Sequence, residues 1–156
     1  MALSFRVPLL LLTAGSLFFA LVRYATPAVA IEVHIKAAGM AERSFLGANT
    51  DGSSAGLRRT AASWFLYRHH SAKACSLQHR SSRKWLTAVN AAPHMPARLA
   101  LSDRPDFNWL VGEASISYGT GLTLEIHNAA QPTLRFEPVK DALEGEARRK
   151  WEIIPT

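Results

Sequence analysis

The sequence predicts an α+β fold: an apolar N-terminal helix followed by a small domain with two basic helices, a three-stranded antiparallel β-meander and a C-terminal helix. Three observations predict it. An uncharged apolar run of sixteen residues, Val7 to Val22, opens the chain. The stretch after Leu57 places apolar residues at helical spacing. Residues 109–137 instead alternate apolar and polar between glycine- and proline-marked turns, the period-2 pattern of half-buried strands.

Residues 1–30 form the first unit, read either as a signal peptide or as a membrane anchor. Arg6 precedes the apolar run, and Ala28-Val29-Ala30 fits a signal-peptidase site with Pro27 breaking the helix just before it. As an anchor the run spans roughly 24 Å, short of a hydrocarbon core of roughly 30 Å unless Arg23 snorkels and the span continues past Tyr24. Both readings stay open. They place the protein in a membrane or in an exported compartment.

Residues 31–156 form a single small domain. Ile31-Glu32-Val33-His34-Ile35-Lys36 alternates, as a short strand or as the exit from an anchor helix. Gly47 to Gly56 reads as a loop by composition. Leu57, Ala61, Trp64 and Ala72 suggest a first helix. Ser81 or Ser82 caps a second, running through Trp85, Leu86 and Val89 until Pro93 ends it. Trp109–Val111, Ser115–Tyr118, Leu122–His127 and Thr133–Glu137 supply the meander, with Leu122, Leu124 and Ile126 on one side. Residues 138–151 form the last helix: Pro138 suits a first turn, acids precede bases, and Val139, Ala142, Leu143, Ala147 and Trp151 make one stripe. No internal repeat is evident.

Charge is unevenly placed. The net charge is +6. Residues 52–102 contain no acid and eight bases, Arg58, Arg59, Arg68, Lys73, Arg80, Arg83, Lys84 and Arg98. Such a block docks on something anionic or is simply solvated. An acidic protein partner or a membrane complex fits it, as does an anionic lipid surface; an export or anchor signal argues against nucleic acid. The residues expected to bind a partner are Arg58, Arg59, Trp64, Arg68, Arg80, Arg83, Lys84 and Trp85.

No catalytic, cofactor or metal site emerges. His70, Cys75 and His79 lack a second cysteine or a carboxylate and sit among positive charges. Ser81-Ser82-Arg83-Lys84 matches S-x-x-K, but the K-T-G and S-D-N elements that give that pattern meaning are missing. The single Cys75 excludes an intrachain disulfide. Function therefore reads as a non-enzymatic accessory or interaction protein at a membrane, docking through residues 52–102. The alternative is a soluble exported protein, a binding module or small hydrolase, released by cleavage near Ala30.

Overall fold

The computed structural model describes residues 29–40, 42, 44–68, 74–91, 96–119, 121–128, 131–136 and 148–156. They contain twelve β-strands and no helix. The strands are β1 (Val29–Ala37), β2 (Phe45–Ala48), β3 (Ala55–Arg58), β4 (Ser63–Arg68), β5 (Cys75–His79) and β6 (Trp85–Val89). They continue as β7 (Ala97–Ser102), β8 (Trp109–Val111), β9 (Ile116–Tyr118), β10 (Leu122–Asn128), β11 (Gln131–Phe136) and β12 (Trp151–Pro155). The α+β expectation is thus overturned: the described chain is all-β.

The two basic helices are strands β3 to β6. In β4, Ser63-Trp64-Phe65-Leu66-Tyr67-Arg68 alternates strictly, with Trp64 and Leu66 buried and Phe65 and Tyr67 half-exposed. Aromatic side chains suit a pleated, half-buried surface, and a period of 2 accounts for every residue of this run. The helical spacing of Leu57, Ala61 and Trp64 is a coincidence across two strands and their connection. Ser81 and Ser82 cap no helix; they lie in the tight turn from β5 to β6.

The composition-defined loop at Gly47 to Gly56 is mostly hairpin. Gly47 pairs with Gly56 and Ala48 with Ala55, so only residues 49–54 turn. A Cβ on Gly47 would meet Ala62 Cβ and Arg58 Cγ at 3.1 Å, which explains a glycine inside this strand. The strand expected at Ile31–Lys36 lies within β1, with Val33, Ile35 and Ala37 buried. The expected meander is antiparallel throughout but has four strands, β8 to β11, and continues into a larger sheet. The expected helices at 1–30 and 138–151 fall largely outside the described residues. At their described ends, Val29 and Ala30 open β1, and Trp151 opens β12.

Pairing of β5 with β8 closes a ring of seven strands, β5–β6–β7–β11–β10–β9–β8. β12 pairs antiparallel with β1, and β1 with β4, which carries the sheet on to β5. The last described strand therefore lies beside the first.

Within this sheet the chain repeats a four-stranded unit three times: β1–β4, β5–β8 and β9–β12. Each unit ends in a strand that begins on or next to a fully buried tryptophan, Trp64, Trp109 or Trp151. Each indole N–H donates to the carbonyl of a buried leucine in the second strand of its own unit. Trp64 reaches Leu46 at 2.8 Å, Trp109 reaches Leu86 at 2.8 Å, and Trp151 reaches Leu124 at 2.9 Å.

The residue before each tryptophan joins the neighbouring unit. The Ser63 carbonyl accepts from Arg80 N–H at 2.9 Å, Asn108 from Gly119 at 2.8 Å, and Lys150 from Ala38 at 2.8 Å. Each tryptophan also faces the last residue of the next unit's first strand: His79, Tyr118 and Ala37 in turn. The unit is invisible in the sequence because only the tryptophan and the leucine recur, at unequal separations. Burial of an indole with its N–H satisfied combines a large apolar contribution with a hydrogen bond whose loss would strand a buried carbonyl. These three clasps hold the core.

Among the described residues, no helix is long and apolar enough to cross a membrane. The expectation of docking through two basic helices is corrected, since the basic segment is sheet; the apolar run of the proposed anchor lies outside the described residues.

Candidate functional site

The basic block disperses once folded. Arg58 Nε donates to the Ala48 carbonyl at 3.0 Å, bracing the β2–β3 hairpin. Arg59 pairs with Glu42 at 3.1 Å and Arg80 with Glu32 at 2.9 Å, so acids that precede the block in sequence answer part of its charge. Lys84 Nζ donates to the Gly52 carbonyl at 3.1 Å. Trp64 is fully buried in the core and offers no surface, a correction to its expected partner-binding place.

Arg68 lies elsewhere, in the lining of an open depression of about 540 Å³ where β1 begins and β4, β8 and β12 end. Its walls include Ile31, Val33, Leu66 and Ile153, with Arg68 and Glu113 as its charged members.

Of the eight expected residues, Arg83 and Trp85 come together on one face. Register builds that face. Glu32 on β1 pairs with Phe65 on β4, Phe65 with Gln78 on β5, and Gln78 with Trp85 on β6. Partners directly opposite on antiparallel strands put their side chains on the same side of the sheet. The result is a straight cross-strand row, Glu32–Phe65–Gln78–Trp85. Tyr67, two residues after Phe65, stands on the same side.

The row is aromatic at its centre and polar along its edge. The Tyr67 ring lies 5.2 Å from Trp85 and 6.4 Å from Phe65, centroid to centroid. Tyr67 O–H donates to Gln78 Oε1 at 3.2 Å, and Gln78 Nε2 donates to the Arg83 carbonyl at 2.8 Å. These bonds fix the Gln78 amide and leave it one N–H and one lone pair to offer. The Arg83 guanidinium sits 5.7 Å from the Phe65 ring centroid, within cation–π range. Phe65, Tyr67, Gln78 and Trp85 are all half-buried, and Arg83 is exposed. The equivalent positions in the other two units carry Leu110, Gly112 and Thr123, or Glu152, Ile154 and Phe45, so no other unit repeats this aromatic set.

Sequence reading missed Gln78 and the pairing of Phe65 and Tyr67 with Trp85. The signal was present in Phe65-x-Tyr67, two aromatic residues at strand spacing, but only the register across β4, β5 and β6 joins them to Trp85.

A second polar cluster lies between the second and third units. Asp106 Oδ2 accepts from Thr87 Oγ1 and from the Tyr118 hydroxyl, both at 2.7 Å, while Oδ1 accepts from Asn108 Nδ2 at 2.8 Å. Burial, then the hydrogen bond to Asp106, raises the Tyr118 pKa above the usual phenol value. The carboxylate is saturated by its own neighbours, so this cluster ties β6, β8 and β9 together.

The residues considered for metal do not converge. Cys75 and His79 are four apart on a strand rather than on a helix turn, which separates them by roughly 13 Å; His70 lies outside the described residues. Among the described residues no three His, Cys, Asp or Glu side chains gather as metal ligands. Cys75 is buried, and burial pushes its thiol up to about 11, which disfavours the thiolate.

No protein-family model matches the chain, and no curated protein sequence matches it. Among solved structures, the fold is similar to that of a ricin B-like lectin from Macrolepiota procera, solved in complex with lactose. The TM-score is 0.58 at 17% identity, over 79% of this chain and 94% of that one. The likeness shows the fold, an all-β sheet closed into a barrel of the kind seen in that structure.

Proposed function

We propose that the protein is a non-enzymatic saccharide-binding module that holds its ligand on the Phe65–Tyr67–Trp85 face. The observation that carries the proposal is the cross-strand row itself, with three adjoining aromatic rings flanked by an oriented amide and a guanidinium. A sugar ring has an apolar C–H face and a rim of hydroxyls. Aromatic side chains cover the first, and a few placed polar groups pair with the second.

A ricin B-like frame does not by itself carry sugar binding, since one fold hosts many functions. The lactose bound to the structural neighbour makes a saccharide the ligand class to test first. Residues 1–30 are read as an export signal or anchor, which would carry the module to a compartment where glycans are displayed.

The test is titration of the protein with a panel of simple glycans, followed by heteronuclear NMR or calorimetry. Binding that perturbs Tyr67, Gln78 and Trp85, and that Trp85→Ala abolishes with the fold intact, is the expected result. Saccharide binding elsewhere, or none across the panel, overturns it. N-terminal sequencing of the purified protein separates the two readings of the leader: a start at Ile31 supports export with cleavage, and a retained Met1 supports the anchor.

A further inference from the structure

We infer that the saccharide this face prefers is acidic, a sugar bearing a carboxylate or sulfate group that the Arg83 guanidinium grips. The inference rests on the saccharide reading above and adds the charge of the ligand.

Arg83 is placed at a cost. It has φ of +58°, in the left-handed region where a side chain is disfavoured and glycine is not. The turns that follow the first strand of the other two units solve the same problem with glycine: Gly39 at +77°, and Gly119 and Gly121 at +57° and +113°. Only the second unit uses a long cationic side chain there. Non-glycine residues held in this region cluster where function requires the side chain.

What the turn gains is position. Arg83 N–H donates to the His79 carbonyl at 2.9 Å, which tightens the turn, and the Arg83 carbonyl accepts from Gln78 at 2.8 Å, which binds the turn to the aromatic row. The guanidinium is thereby set over the Phe65 ring. Among the described residues no carboxylate lies within ion-pair distance of it, in contrast to its neighbour Arg80, which Glu32 occupies.

The surroundings favour an anion as well. Residues 52–102, which supply all five groups of the row and its edge apart from Glu32, contain no acid. Glu32, the one acid in the row, is neutralised by Arg80. A guanidinium fork meets carboxylate or sulfate oxygens in a bidentate, charge-assisted pair, about twice as strong as a neutral hydrogen bond. A neutral sugar on the same rings would leave that capacity unused.

The experiment compares lactose, sialyllactose and sulfated lactose on the full-length chain and on its Arg83→Gln and Trp85→Ala variants, by calorimetry at low and high salt. The acidic sugars are expected to bind about tenfold tighter than lactose. Arg83→Gln should remove that preference, weakening the acidic sugars about tenfold more than lactose, and added salt should narrow the gap in the same way. Trp85→Ala should abolish binding of all three sugars. Equal affinity for neutral and acidic sugars, or a preference that survives Arg83→Gln, overturns the inference and leaves the saccharide reading standing. No binding of any of the three overturns both. Salt-sensitive retention of DNA and heparin alike, unaffected by Trp85→Ala, also overturns it in favour of non-specific polyanion binding. Arg83→Gly is the folding control, because glycine relieves the turn while removing the grip.

Discussion

Replacing Trp109 by phenylalanine tests the clasp that closes each unit. The indole N–H that reaches the Leu86 carbonyl at 2.8 Å disappears, and both groups are buried. Stranding a buried carbonyl costs about 1–3 kcal/mol. Exchanging the indole for the smaller phenyl ring leaves a small cavity worth about 1 kcal/mol more. The expected loss is therefore about 2–4 kcal/mol, a large share of the roughly 5–15 kcal/mol that holds a domain folded. The assay is urea unfolding followed by far-UV circular dichroism, which does not depend on tryptophan emission. The midpoint should fall with the slope unchanged. Trp64→Phe and Trp151→Phe should cost similar amounts, since their bonds are 2.8 and 2.9 Å. Trp151→Phe should be the mildest, because Trp151 faces Ala37 whereas Trp64 and Trp109 each touch a ring, His79 at 5.0 Å and Tyr118 at 4.9 Å. Three variants each within about 0.5 kcal/mol of wild type would refute the claim that these bonds hold the core.

Three further outcomes are expected. Burial holds the His79 pKa below its ordinary 6.5, so the unfolded chain binds the proton more readily than the folded one. Stability should therefore be at its plateau above pH 6.5 and decline as pH falls below it, and His79→Gln should flatten that decline in urea midpoints measured between pH 7.5 and 5.5. Cys75, with its thiol pushed up to about 11, should resist iodoacetamide in the native protein and react at once in guanidinium, as read by mass spectrometry. The exposed Arg80–Glu32 pair should contribute under about 1 kcal/mol in a double-mutant cycle, so that Glu32→Gln leaves the fold intact while freeing Arg80 beside the aromatic row.

The parts of the fold legible in the sequence were those where one periodicity stood alone. Ile31–Lys36 and Leu122–His127 alternate without competing spacing and are strands. Over Leu57 to Arg68 the spacing of Leu57, Ala61 and Trp64 also satisfies a helical period, whereas the decisive pattern is the shorter Ser63–Arg68 alternation; Ala72 lies outside the described residues. Ser81 reads equally well as a helix cap or as a turn residue, and only the His79–Arg83 turn decides between them. The charge of residues 52–102 was legible, but its fate was not, since Glu32 and Glu42 lie outside the block and reach it only through folding. Of the candidate site, Arg83 and Trp85 were named from charge and aromaticity. Their meeting with Phe65, Tyr67 and Gln78 depends on register across three strands, which is a long-range property.

The pairing of β12 with β1 also bears on how the protein is made. A chain leaves the ribosome from its N-terminal end, so β1 emerges early and waits for a partner that is synthesised after every other described strand. Until then the Ala38 N–H has no Lys150 carbonyl, and Val33 to Ala37 have an open edge. Contacts this distant in sequence form slowly. The nascent protein is thus kept from completing its sheet during translation, and the three-unit closure waits on the last described strand to be made.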